Sequence, residues 1–196
     1  MENQQNIHSL LKGKNNDLLD DLTFGLVNSM NFSNTRLSYP DFEELSPHEG
    51  VRPEWFYPVY RGTNGFSELN AINQYISQEA IFDEVGEMML GIAMVEMKHL
   101  DKLGDFILKL NGSVSHKYET TYVAYGHTAE EAVLLGLALE NNSIQEYSRL
   151  MEKMKGLPTN RTTEITIQFL SKLIADEYQH RAIFERWLLS RHISKF

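Results

Sequence analysis

Residues 93–103, AMVEMKHLDKL, and residues 174–184, IADEYQHRAIF, each set a Glu and a His three positions apart within an apolar helical stripe. Residues three apart on a helix are neighbours, so Glu96 and His99 share one face, as do Glu177 and His180. Each pair is preceded by a segment with a common interval: Glu68-x3-Ile72-x2-Tyr75 before the first, Glu140-x3-Ile144-x2-Tyr147 before the second. A buried unpaired carboxylate costs several kcal/mol, of that order, so four on apolar stripes require compensation. Four carboxylates and two neutral imidazoles are balanced by two divalent cations. An oxygen-rich donor set with one imidazole per ion suits Fe(II) or Mn(II) and does not separate them. A Glu-x-x-His spacing alone is weak evidence; its weight comes from the buried stripes and the repeat. The competing reading makes the six residues polar edges of amphipathic helices, bonded to Tyr75, Tyr147, Asn73 or Asn141.

Working outward, the periodicity predicts four long helices. The first opens at Asn64-Gly65 and buries Glu68, Ile72, Tyr75 and Ile76. The second runs from about Asp83, its expected N-cap, to Leu110, with Val85, Met88, Met89, Ile92, Glu96, His99, Leu103, Phe106 and Ile107 inward. The third, about Thr128 to Lys155, buries Val133, Leu137, Glu140, Ile144, Tyr147, Met151 and Met154. The fourth starts near Thr162 and buries Leu170, Leu173, Ile174, Glu177, His180, Phe184, Trp187 and Leu188. Antiparallel helices meet level when paired residues are equidistant from the turn. The midpoint of Glu140 and Glu177 falls between Pro158 and Thr159, beside Gly156, and that of Glu68 and Glu96 is Phe82. Asn111-Gly112 stops the second helix, and residues 113–126 form an extended connection long enough to cross the body.

The first 63 residues differ in kind from residues 64–196. Residues 1–16 are polar; Leu18, Leu19, Leu22, Leu26, Val27 and Met30 predict a short accessory helix. From Asn31 to Thr63 four of the five prolines, Pro40, Pro47, Pro53 and Pro58, interrupt any helix. Trp55, Phe56, Tyr57 and Tyr60 in that stretch predict an irregular strap laying aromatics on the bundle.

With 196 residues, the chain has room for one sizeable core and a short appendage. It contains no cysteine, which excludes thiolate zinc, iron–sulfur clusters and cysteine nucleophiles. A net charge of −9 and the lack of a basic aromatic stripe argue against nucleic acid. No apolar run is long enough to span a bilayer, and the N-terminus lacks the pattern of a secretory signal, so the expectation is a cytoplasmic protein.

On these motifs the chain resembles the ferritin-like di-iron or di-manganese carboxylate superfamily, an all-α four-helix bundle with one long crossover between helices two and three. SELNAINQY with VEMKHLDKLG is similar to rubrerythrin-like and manganese-catalase-like branches; ENNSIQEY with DEYQH resembles rubrerythrin-type proteins. The resemblance spans residues 66 to about 190. It implies that Glu96 and Glu177 bridge two Fe or two Mn ions, Glu68 and His99 serving one and Glu140 and His180 the other. It also implies that Asp176 orients the histidine of the opposite half, with no equivalent acid at Val95. Tyr75 and Tyr147 are the other expected neighbours of the ligands. The cysteine-rich electron-transfer domain of rubrerythrins is missing, so electrons would come from an external donor. Few residues follow the fourth helix, which the resemblance weighs against a storage shell.

The leading expectation is a redox enzyme reducing peroxide or dioxygen. Manganese catalase-type disproportionation, iron sequestration and a metal-stabilised interaction protein are the alternatives. Pairing of two copies fits bundles of this class.

Overall fold

The computed structural model describes residues 32–62, 66–115 and 124–193. Every regular element among them is helical: a 3-10 turn at Pro53–Trp55, then α1 (Tyr57–Arg61), α2 (Glu68–Glu79), α3 (Gly86–Lys109), α4 (Ala129–Lys155) and α5 (Arg161–Ile193). The expected accessory helix, and residues 116–123 of the long connection, lie outside the described residues.

Helix ends follow local chemistry. Thr128 caps α4 by accepting from the Glu131 amide at 3.1 Å, and the Glu131 carboxylate accepts from the His127 amide at 2.7 Å. Asn160 does the same for α5, its side-chain oxygen accepting from the Thr163 amide at 2.8 Å. Asn111 takes the left-handed conformation, φ 59°, and Gly112 N–H reaches Ile107 O at 2.9 Å, closing α3 as its sequence predicts. The start of α3 differs from expectation. Asp83 is exposed and is not the cap; Val85 holds that position without a side-chain hydrogen bond. Successive tight turns, Phe82 N–H to Gln78 O and Val85 N–H to Phe82 O, carry the chain past Asp83 before the helix begins.

α2 packs chiefly on α3 and α4 chiefly on α5, and α2–α4 and α3–α5 contacts join the hairpins into a four-helix bundle. Ile76 is a correction: it is 38% exposed, because the buried arc of α2 turns the other way, through Ala71, Gln74 and Gln78.

Two apolar clusters fill the interior. One holds Phe42, Phe56, Leu103, Phe106, Tyr147, Met154, Phe169 and Leu173; the other holds Tyr75, Met89, Ile92, Val133, Leu139 and Phe184. Along α3 the order is Ile92, Glu96, His99, Leu103, and along α5 it is Leu173, Glu177, His180, Phe184. The charged residues therefore form a layer between two dry ends. The strap covers the first cluster with rings: Phe42 lies 5.0 Å from Phe169 and 5.4 Å from Phe106, and Phe56 lies 4.8 Å from Phe106.

Candidate metal centre

All six residues singled out by the motifs converge in this polar layer, and none is more than 3% exposed. Glu68 comes from the first turn of α2, Glu96 and His99 from α3, Glu140 from α4, and Glu177 and His180 from α5. Donor atoms of Glu68, Glu96, His99 and Glu177 lie within 4.8 Å of one another, as do those of Glu96, Glu140, Glu177 and His180. Glu96 and Glu177 belong to both groups. Glu96 directs Oε2 to His99 Nδ1 at 2.8 Å and Oε1 to His180 Nδ1 at 2.9 Å. Glu177 places Oε1 3.2 Å from His99 Nδ1 and Oε2 3.7 Å from His180 Nδ1. Each remaining carboxylate serves one side: Glu68 Oε2 is 3.7 Å from His99 Nδ1, and Glu140 Oε2 is 3.3 Å from His180 Nδ1.

Among the described residues, Glu96 Oε1, Glu140 Oε2, Glu177 Oε1 and His180 Nδ1 are buried atoms without a hydrogen bond. They approach one another closely without hydrogen-bonding geometry, as donors aimed at shared cations do. Buried polar atoms are normally satisfied, so this cluster of exceptions fits two ions. Oxygen with one imidazole per side is a donor set for Fe or Mn.

The outer carboxylate oxygens are tied crosswise. Tyr75 of α2 donates to Glu140 Oε1 of α4, and Tyr147 of α4 donates to Glu68 Oε1 of α2. The repeat of Glu and Tyr seven residues apart thus becomes a reciprocal pair of braces. Burial, followed by the Glu140 charge, pushes the Tyr75 phenol up, so it stays a donor.

Asp176 of α5 lies beside His99 of α3. Its Oδ2 is 3.0 Å from His99 Nε2, the ring nitrogen facing away from the carboxylates. Burial would raise this acid, but His99, the Lys172 ammonium and the Asn34 amide outweigh it and hold it down to about 2. Four residues around Asp176 escaped the sequence reading: Ser33, Asn34, Tyr39 and Lys172. Lys172 had a usable signal, since it sits four positions before Asp176 on one buried face. Ser33, Asn34 and Tyr39 lie in irregular chain, where no periodicity marks what a side chain meets.

Without cations the layer redistributes protons. Burial and the Glu96 charge push Glu68 well up, and burial and Glu177 do the same to Glu140. Burial would also raise Glu96, but His180 and His99 pull it well below the ordinary range. Burial and Glu96 act to raise Glu177, and its close approaches to Glu140, His180 and His99 bring it below the ordinary range. Both histidines are raised despite burial, His99 by Tyr39, Glu96 and Glu68, and His180 by Glu96 and Glu140.

Among solved structures, BfrA from M. tuberculosis, a bacterioferritin, superposes with a TM-score of 0.59 at 23% identity, covering 70% of this chain and 84% of that one. A manganese catalase, KatB from Anabaena, gives a TM-score of 0.60 at 20% identity over 79% of this chain and 81% of that one. At such identities these likenesses concern the fold. A search of curated proteins returned no match. The family model for the ferritin-like domain matches residues 67–189, the span that contains α2, α3, α4, most of α5 and all six converging residues, and the chain belongs to that family.

Proposed function

We propose that this chain is a dinuclear-metal oxidoreductase that reduces hydrogen peroxide or dioxygen. The observation that supports it most is the shared use of Glu96 and Glu177 by two His-containing donor groups inside a layer closed by apolar clusters. Glu96 and Glu177 would bridge; Glu68 with His99, and Glu140 with His180, would complete the two positions. When bound, a pair of Fe or Mn ions supplies two electrons to one substrate molecule. The chain's own part is to hold the donors and keep water out. Tyr75 and Tyr147 fix the terminal carboxylates and keep a proton at each phenolic oxygen, next to Glu140 and Glu68. Asp176 fixes His99 with Nδ1 turned inward. An external electron donor, a cytoplasmic setting and pairing of two copies belong to this proposal. Among the described residues no helix is long and apolar enough to cross a membrane.

Two other readings draw on the fold neighbours. The bacterioferritin favours iron storage, and the manganese catalase favours disproportionation. Elemental analysis of protein purified from its own host, paired with peroxide consumption, separates the three. Close to two iron atoms per chain and donor-dependent peroxide loss, abolished in Glu96→Gln, is the expected result. Oxygen evolution without a donor and two manganese atoms would replace it with the catalase reading. Many iron atoms per chain in a large hollow oligomer would replace it with storage.

A further inference from the structure

The two halves of the centre are related by the repeat, which pairs Glu96 with Glu177 and His99 with His180. It also pairs Asp176 with Val95, and Lys172 with Gly91. The surroundings of the two histidines are therefore unequal. Both rings turn Nδ1 toward the carboxylates. His99 Nε2 has Asp176 Oδ2 at 3.0 Å, whereas His180 Nε2 is buried with no hydrogen-bond partner among the described residues.

Asp176 is itself held from several directions. Lys172 Nζ donates to Oδ1 at 2.7 Å, the Asn34 amide donates to Oδ1 at 2.5 Å and Ser33 Oγ at 3.1 Å, and Tyr39 OH approaches Oδ2 at 3.4 Å. Lys172 Nζ also donates to Ser33 Oγ and to Asn34 O, both at 2.8 Å, so the ammonium pins the strap as well as the carboxylate. On the other half the strap contributes the Phe32 ring among the described residues: a Cβ on Gly91 would lie 2.1 Å from Phe32 Cε2. One histidine is fixed in orientation by an anion that the strap holds; the other has no such acceptor on its distal nitrogen among the described residues.

We propose that Ser33, Asn34 and Tyr39 of the strap, acting through Lys172 and Asp176, make the His99 half the tighter of the two metal positions and the first to fill. This rests on the dinuclear reading above. An acceptor on the distal nitrogen of a ligating imidazole raises its basicity and removes the cost of orienting it, and loss of such a partner lowers metal affinity about 10–100-fold. Asp176, Lys172 and the strap are positioning residues: Asp176 bonds the ligand His99, and Lys172, Ser33 and Asn34 act through Asp176.

The test is calorimetric titration of the metal-free full chain with Mn(II), with Zn(II) titration followed by NMR of ¹⁵N-labelled histidine. The expected result is two binding steps whose affinities differ by about tenfold or more, with the His99 signals shifting in the first equivalent and the His180 signals in the second. His180→Gln assigns the resonances. Asp176→Asn should weaken the first step by about 10–100-fold and leave the second within about threefold. Asn34→Pro, which removes the strap's amide donor, and Ser33→Ala should move the first step in that direction by smaller factors; Ser33→Ala removes one hydroxyl and keeps the test informative should Asp176→Asn fail to fold. Two equal steps, first occupancy at His180, or variants that weaken both steps alike would overturn this inference and leave the dinuclear reading standing. Failure of the wild-type chain to bind any divalent ion would overturn both.

Discussion

Tyr75 and Tyr147 decide how rigid the carboxylates are. Each donates to an acid of the opposite half, so neither half of the repeat is complete without the other. Removing one hydroxyl leaves a buried carboxyl oxygen unpaired, at a cost of about 1–3 kcal/mol. Tyr75→Phe and Tyr147→Phe should each lower unfolding stability by that amount, read from denaturant unfolding of the metal-free protein; a change under about 0.5 kcal/mol would mean the braces are not formed. The six donors were legible in the sequence because burial and the three-residue interval act together: a Glu in an apolar stripe has one direction to point. The braces were only partly legible. The seven-residue Glu–Tyr interval was visible, but the crossing of each Tyr to the other half depends on helix packing, which no local pattern encodes.

At the level of elements, close approach is enforced by small residues. A Cβ on Gly136 of α4 would stand 2.7 Å from Phe184 Cζ of α5, and one on Gly91 of α3 would strike the Phe32 ring of the strap. Gly136→Ala should therefore overpack the interface between α4 and α5 and cost about 1–3 kcal/mol. Gly91→Ala should cost a similar amount, about 1–3 kcal/mol, and in addition raise hydrogen exchange at Asn34, because the strap must lift to clear the methyl group. Unchanged exchange at Asn34 would show that Phe32 moves without the residues that follow it. The α4–α5 turn was readable because Gly156 and Pro158 break the helix at the midpoint of Glu140 and Glu177. The α2–α3 turn lacks such breakers, and tight backbone turns through Phe82 and Val85 set its length, so the cap falls at Val85 and not at Asp83.

For the whole molecule, charge neutrality links metal, protons and stability. In the metal-free layer burial and neighbouring charge raise Glu68 and Glu140 and so favour their protonated forms, the facing acids favour the cationic forms of His99 and His180, and the histidines favour the ionised forms of Glu96 and Glu177. Loading two divalent ions requires ionised carboxylates and neutral imidazoles, so Glu68, Glu140, His99 and His180 each give up a proton, about four in all. Titration in buffers of different ionisation enthalpy measures this release; fewer than about two protons would contradict the proton distribution. The sign for stability follows. Groups raised in the folded protein favour folding at low pH, so the metal-free chain should lose stability as pH rises from 4.5 for Glu68 and Glu140 and from 6.5 for the histidines. Glu96 and Glu177 are lowered, so acidification below 4.5 also destabilises it. Metal binding runs the other way: the gain in Tm on adding Mn(II) should be larger at about pH 8 than at about pH 5, and chelation should reverse it.

The most direct measurement is anomalous diffraction from crystals of the full chain loaded with Mn(II) or Fe(II). Two peaks about 3.5–4 Å apart, both between Glu96 and Glu177, with one beside His99 and Glu68 and the other beside His180 and Glu140, are the expected result. A single peak, peaks at the protein surface, or none within the layer of six side chains would contradict it.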